Sequence, residues 1–134
     1  MSEVYDYLAK AQENLASAEN DVVHGRYNSC TRSAYYACFH AAITALIHAE
    51  VVASMPDRLW GHDRVQAHFV AQLIQRRRYY PASLRRTLTD LLAMRHKADY
   101  RVASVSQREA QECVRRARTF VRTITAHVTP ERDA

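Results

Sequence analysis

The sequence has 134 residues, a quarter of them charged, and its formal net charge is +5 at pH 7. A chain of this length buries roughly two thirds of its unfolded surface around one core, so we predict a single domain at 1–128 with a frayed tail at 129–134. Without a charged-then-apolar leader or an apolar run of membrane length, we expect neither secretion nor membrane insertion. A glycine-rich phosphate loop and a nucleophile elbow are also absent from the sequence, which argues against kinase and hydrolase chemistry.

Composition favours long helices and a reducing environment. Only two glycines and three prolines interrupt the chain, whereas alanine, leucine, arginine and glutamine are plentiful helix formers. Cys30, Cys38 and Cys113 have no metal-ligand spacing and fall among apolar positions, where thiols usually behave as small hydrophobes. We therefore expect reduced core cysteines in a cytoplasmic protein, without metal or cofactor.

The first two predicted helices differ in pattern. The first covers about 3–24, because apolar residues recur at intervals of three and four, and Gly25 ends it. The second covers about 27–51 and is apolar nearly all round, which predicts a central position in a bundle. Residues 54–57, with Pro56, break this helix.

Three further helices follow at about 62–77, after Tyr79-Tyr80-Pro81, and after Ser106. Proline at a first helical turn opens the fourth helix, which ends near residues 95–98. Ser106 and Glu109 have the spacing of a capping box, which marks the start of the fifth helix. Short connections favour antiparallel neighbours, so we predict an all-α, antiparallel up-and-down bundle of four long helices plus a short accessory helix.

Two stretches of sequence carry a resemblance to a known family. Residues 32–42 read RSAYYACFHAA, and residues 95–100 read RHKADY, followed by SQREA at 106–110 and ARTFV at 117–121. Over about 4–126 the chain resembles the HEPN superfamily, small helical proteins of bacteria and archaea often encoded beside a minimal nucleotidyltransferase. The resemblance implies the HEPN fold, a homodimer, and a role as the HEPN component of a toxin-antitoxin or defence pair.

The same resemblance identifies a candidate site around Arg95. In HEPN ribonucleases, it implies an arginine followed after four to six residues by a histidine, with two such pairs meeting at the dimer interface. Arg95 occupies the arginine position, but Asp99 and Tyr100 stand where the histidine is expected. Metal-independent RNA cleavage needs a group that titrates near neutrality, which aspartate does not provide. Arg95, Asp99 and Tyr100 therefore remain candidates for catalysis, and the sequence does not decide whether the protein is an enzyme.

Each of these three residues also has a second interpretation. Arg95 and Asp99 are four apart on a helix, which is the spacing of an ion pair. Tyr100 either stacks on a base or covers the end of the bundle. In some relatives the transferase modifies a tyrosine just beyond the motif histidine, so the resemblance makes Tyr100 a candidate for modification.

Basic residues supply a second candidate site. Arg76, Arg77 and Arg78 precede Tyr79, and cations beside an aromatic residue are typical of single-stranded RNA binders. The alternative is a solvated turn. Arg101 joins Arg95 as a further candidate for nucleotide or RNA binding. The positive net charge permits such a partner without identifying it.

Two histidines receive structural interpretations. We expect His40 to be a hydrogen-bonded core group, because it lies on a mostly apolar helix. His62 follows Gly61 and resembles the family's loop histidine, so we expect it to cap the third helix. Three functions remain open: a nucleotide-, RNA- or partner-binding component, a metal-independent ribonuclease with a composite site at the dimer interface, and a non-catalytic scaffold.

Overall fold

The computed structural model describes residues 2–51 and 60–130 and contains five α-helices within these ranges. They are α1 (Ser2–Val23), α2 (Tyr27–His48), α3 (His62–His68), α4 (Thr87–Tyr100) and α5 (Gln107–Val128). A π-helical segment, Phe69–Arg76, continues α3, and a 3₁₀ turn, Ala82–Leu84, precedes α4. The described ranges contain no strand, and the predicted all-α antiparallel bundle is confirmed.

Helix α2 forms the centre of the bundle. It packs against α1, α3, α4 and α5, as its apolar circumference predicts. Ala34, Ala37 and Ala41 are fully buried along it, and their small side chains let the neighbouring helices approach closely. The three cysteines are buried and free, which agrees with their prediction as core residues. No helix of the described part has the length and apolar character needed to cross a bilayer.

The end of α2 differs from its prediction. The helix stops at His48, three residues early, because Ala49 caps it and Glu50 adopts a φ of 61°, outside the right-handed helical region. Arg77 stabilises this end by donating a hydrogen bond of 2.8 Å from its guanidinium to the carbonyl of Ala49. The predicted helix break at 54–57 lies outside the described residues.

The fourth helix also begins elsewhere than expected. Pro81 precedes the 3₁₀ turn, and α4 starts only at Thr87, so the prediction that Tyr79-Tyr80-Pro81 opens α4 is wrong. Tyr80 is instead buried, with its ring stacked 5.5 Å from that of Phe69. The 3₁₀ turn lies between this buried ring and the start of α4. At its other end α4 continues to Tyr100, beyond the predicted end.

The start of α5 confirms the predicted capping box. The hydroxyl of Ser106 accepts a hydrogen bond from the backbone amide of Glu109 at 3.1 Å, and the Glu109 carboxylate accepts one from the Ser106 amide at 3.0 Å. Lys97 donates to the same carboxylate at 2.9 Å. The hydrogen bonds from Ser106 and then Lys97 lower the pKa of Glu109. This carboxylate therefore ties the end of α4 to the start of α5.

Candidate functional site

An open cleft of about 690 Å³ lies between α2, the start of α3 and α4. Its walls combine aromatic rings, cations and imidazoles. They include Tyr35, Tyr36, Phe39, Trp60, His62, Arg64, Arg95 and His96. The cleft is therefore lined by residues from both family-like stretches, 32–42 and 95–100, and from the beginning of α3.

Arg95 is held firmly in the wall of this cleft. Its guanidinium carbon lies 5.2 Å from the ring centroid of Tyr36 and 5.6 Å from that of Tyr35, which are cation–π distances. Its Nε lies 3.3 Å from a carboxylate oxygen of Asp99, so the predicted ion pair is present. The side chain is only 24% exposed. Rings and carboxylate together orient the guanidinium, leaving its remaining donors for a ligand.

Asp99 forms ion pairs with two guanidinium groups. Its second carboxylate oxygen lies 3.4 Å from Nη1 of Arg32, so the carboxylate stands between two guanidiniums. Asp99 is itself largely buried, at 17% side-chain exposure. The geometry makes Asp99 a positioning group for Arg95, and a cleft ligand would meet Arg95 in preference to this carboxylate.

His62 contributes an imidazole to the cleft, although the sequence predicted that it caps the third helix. Gly61 is the N-cap of α3, which has no side-chain capping bond, and the His62 ring forms a hydrogen bond of 2.9 Å with the Tyr35 hydroxyl. The predicted capping role is therefore wrong. Burial lowers the pKa of His62, with nearby His96 adding to the effect and Asp63 opposing it, so the ring is neutral at pH 7.

Tyr35 keeps its proton in this arrangement. The residue is buried, and burial raises its pKa to about 12, although the guanidinium of Arg95 opposes the rise. A neutral phenol can orient the neutral imidazole of His62 through their hydrogen bond. The pair therefore fixes the angle at which the His62 ring faces the cleft.

The end of α4 carries the remaining residues of the motif. His96 lines the cleft, and its ring contacts that of Tyr100 edge to face, with 5.9 Å between centroids. Tyr100 itself is 76% exposed, so it does not cover the end of the bundle. Arg101, directly after α4, is also exposed. Neither Tyr100 nor Arg101 is among the described residues that line the cleft.

The basic run lies apart from the Arg95 cleft. Arg76, Arg77, Arg78 and Tyr79 are all exposed, and none of them lines the cleft as described. Arg78 and Tyr79 border a separate pocket, and the Tyr79 ring lies 5.2 Å from that of His127. The structure therefore separates the two sets of cations that the sequence analysis proposed for nucleotide or RNA binding.

Several side chains line the cleft although the sequence predicted no binding role for them, among them Tyr35, Tyr36, His62 and His96. Each had a signal, because Tyr35, Tyr36 and His96 lie inside the two family-like stretches and His62 follows Gly61 at a predicted helix start. What the sequence does not reveal is that these positions meet.

The described residues contain no group of three histidine, cysteine, aspartate or glutamate side chains that could hold a metal ion.

Comparison with known proteins agrees with this architecture. A family model described as the HEPN domain matches residues 4–127, from the first turn of α1 to the last turn of α5. No curated protein matches the sequence.

Proposed function

Since the chain belongs to the HEPN domain family, we propose that it binds a nucleotide or RNA in the cleft around Arg95 and works as the HEPN component of a pair with a minimal nucleotidyltransferase. The family supports a nucleotide- or RNA-related function in general. One observation carries the specific proposal: the guanidinium of Arg95, fixed between two tyrosine rings and a carboxylate in the cleft wall.

The chemistry of the cleft suits a nucleotide. A guanidinium presents a planar fork of donors that matches phosphate oxygens, and Arg64 adds a second positive charge to the same cleft. Tyr36 and Trp60 offer aromatic surface for a base. Because Arg95 is already oriented, little side-chain entropy is lost when phosphate binds. Asp63 in the cleft wall partly offsets the positive charge.

The proposed partnership with a transferase involves the exposed end of α4. Tyr100 projects its phenol into solvent next to His96, so an enzyme of the pair can reach its hydroxyl. Transfer of a nucleotidyl group from a nucleoside triphosphate to that oxygen would release pyrophosphate. We propose a homodimer in which each subunit offers one such tyrosine. Co-expression with a minimal nucleotidyltransferase, followed by mass spectrometry of wild type and Tyr100→Phe, tests whether Tyr100 is modified.

Calorimetric titration with uridine monophosphate tests the binding proposal directly. Replacing Arg95 with glutamine should weaken binding about ten-fold or more, because a charge-assisted hydrogen bond to phosphate is lost. Arg122→Gln is the matched control, since this exposed arginine lies on α5, which contributes no described residue to the cleft. Equal affinities for wild type and Arg95→Gln would refute the nucleotide site.

A ribonuclease is the second candidate function, and one observation favours it. The motif histidine is absent, yet His62 and His96 bring two imidazoles into the cleft of Arg95. A neutral imidazole can take the proton of a ribose 2′-hydroxyl while the hydroxyl oxygen bonds to the adjacent phosphorus. The bond between that phosphorus and the 5′-oxygen breaks, and the leaving oxygen takes a proton from water. The product would be a 2′,3′-cyclic phosphate.

Cleavage of single-stranded RNA in the presence of a chelator tests this second candidate. Activity that disappears in Arg95→Gln and in His62→Gln or His96→Gln would support it, and activity unchanged by all three substitutions would exclude this site. If the three variants alter neither binding nor cleavage but only stability, the domain is a scaffold.

A further inference from the structure

The aromatic wall of the Arg95 cleft continues onto α1 through Tyr7. The Trp60 ring lies 6.0 Å from that of Tyr7, edge to face, and Tyr7 stacks at 6.0 Å on His40. His40 in turn lies 6.2 Å from Tyr36, the ring that holds Arg95. These four rings, Tyr7, Tyr36, His40 and Trp60, form one connected patch, the α1–α2 aromatic surface.

A second cation stands at the far end of the α1–α2 aromatic surface. Nζ of Lys10 lies 5.3 Å from the ring centroid of Tyr7, and Lys10 is exposed. Within the described part of the chain Lys10 forms no ion pair, in contrast to Arg95, which is paired with Asp99. The surface therefore has a cation at each end and rings between them.

The rings of this surface are accessible, and its imidazole is uncharged at neutral pH. All four are only partly buried, unlike the aromatic residues of the core such as Phe69 and Phe120. Burial lowers the pKa of His40, and Lys10 lowers it further, so the ring is neutral at pH 7. Proteins that bind single-stranded nucleic acids combine aromatic side chains, on which the bases stack, with cations that contact the phosphates. The α1–α2 aromatic surface has both features.

We propose that the α1–α2 aromatic surface is a second nucleotide subsite, so that the ligand of the cleft is a single-stranded nucleic acid of at least two nucleotides. One phosphate contacts Arg95, another phosphate of the same strand contacts Lys10, and a base lies against Tyr7 and Trp60. This inference rests on the proposed nucleotide-binding function, which it refines by naming the ligand class.

Comparing a uridine tetranucleotide with uridine monophosphate tests the subsite. Wild type should bind the tetranucleotide at least about ten-fold more tightly, since stacking one base on an aromatic side chain accounts for roughly that factor. Lys10→Gln and Tyr7→Leu should remove most of this advantage and leave the affinity for the monophosphate unchanged. Arg122→Gln should change neither, and thermal melting confirms that each variant is folded.

Salt dependence separates a phosphate contact from a structural role of Lys10. Losing one phosphate contact reduces the slope of log affinity against log salt by about 0.7 for a single strand. We expect that reduction in Lys10→Gln for the tetranucleotide only. A merely structural role of Lys10 would leave the slope unchanged, which would overturn the proposal.

Other outcomes separate the second subsite from the proposed nucleotide site at Arg95. Equal affinity of wild type for both probes refutes the second subsite but leaves the Arg95 nucleotide site standing. Failure of both probes to bind refutes both. A deoxyuridine tetranucleotide that binds as tightly as RNA supports recognition through bases and phosphates alone, and weaker binding adds a contact to the 2′-hydroxyl in the same subsite.

Discussion

Arg95 and Asp99 lie one turn apart on α4 and form an ion pair, with 3.3 Å between Nε and the carboxylate. The same carboxylate also lies 3.4 Å from a guanidinium nitrogen of Arg32. Asp99 therefore orients Arg95 while cancelling part of its charge. Asp99 pairs with Nε, so the remaining donors of Arg95 are available to a phosphate in the proposed site, and the negative charge of Asp99 weakens that interaction.

Replacing Asp99 with asparagine should strengthen nucleotide binding. The amide keeps the size of the side chain and can still accept a hydrogen bond from Arg95, but the competing negative charge is gone. We expect the affinity for uridine monophosphate to rise about two- to five-fold at low salt, the usual range for a partly exposed charge pair. Calorimetric titration measures the change.

Asp90→Asn is the matched control for that prediction. Asp90 lies on the same helix and pairs with Arg86 and Arg116, but it is not among the described residues that line the cleft. Its replacement should leave the affinity unchanged. Weaker binding in Asp99→Asn would show that the full carboxylate is needed to orient Arg95, and that orientation outweighs charge.

The hydrogen bond between Tyr35 and His62 can be tested by removing one hydroxyl. Tyr35→Phe should lower the free energy of unfolding by about 1 kcal/mol, because a partly buried hydrogen bond between α2 and α3 is lost. Urea denaturation measures this difference. Tyr36→Phe is the control, since the structure describes no hydrogen bond for the Tyr36 hydroxyl; an equal loss in both variants would contradict the assigned role of Tyr35.

Local signals made the helices at both ends of the chain predictable. The apolar spacing of α1 and the capping box of α5 depend on residues three or four apart, and the structure confirms both. The end of α2 was not predictable in the same way. It depends on the positive φ of Glu50 and on the distant Arg77, which contacts the carbonyl of Ala49.

The candidate site also depends on contacts between residues that are distant in the sequence. The resemblance identified Arg95, and helix geometry predicted its pairing with Asp99. The contact between Tyr35 and His62 joins residues 27 positions apart, and it depends on how α3 is rotated against α2. Periodicity within one helix carries no information about that rotation. Tyr80 misled the prediction for a related reason, because its ring fills a core position that only packing on Phe69 reveals.

Asp21 should make folding stability depend on pH in the acidic range. It accepts hydrogen bonds from Arg26 at 2.8 Å and Ser29 at 2.7 Å, which fasten the end of α1 to the start of α2. Burial alone would raise the pKa of Asp21, but the hydrogen bonds from Ser29 and Arg26 outweigh it, so the pKa lies below its usual value of 3.8. The folded state therefore favours the ionised carboxylate.

The sign of the effect follows from that lowered pKa. The stabilisation by Asp21 is complete well above pH 3.8 and is lost as the pH falls through the folded-state pKa. Asp21→Asn should cost about 2 kcal/mol at neutral pH, in the range for hydrogen bonds to a charged group, and the gap to wild type should narrow at about pH 3. Denaturant titrations across this range measure it.

Asp6→Asn provides the reference for the acidic titration. Asp6 is an exposed residue on the same helix, and its replacement should change stability by less than about 0.5 kcal/mol at every pH. A gap between wild type and Asp21→Asn that stays constant down to about pH 3 would contradict the lowered pKa of Asp21.

Tyr80→Phe should make the protein more stable. The Tyr80 hydroxyl is buried without a hydrogen-bond partner in the described part of the chain, while its ring packs on Phe69 and His127. Phenylalanine keeps the ring and removes the unsatisfied oxygen, so we expect the free energy of unfolding in urea to rise by about 1 kcal/mol. Tyr79→Phe, at a half-exposed neighbouring ring, should change little. A loss of stability in Tyr80→Phe would mean that the hydroxyl makes a favourable contact in solution.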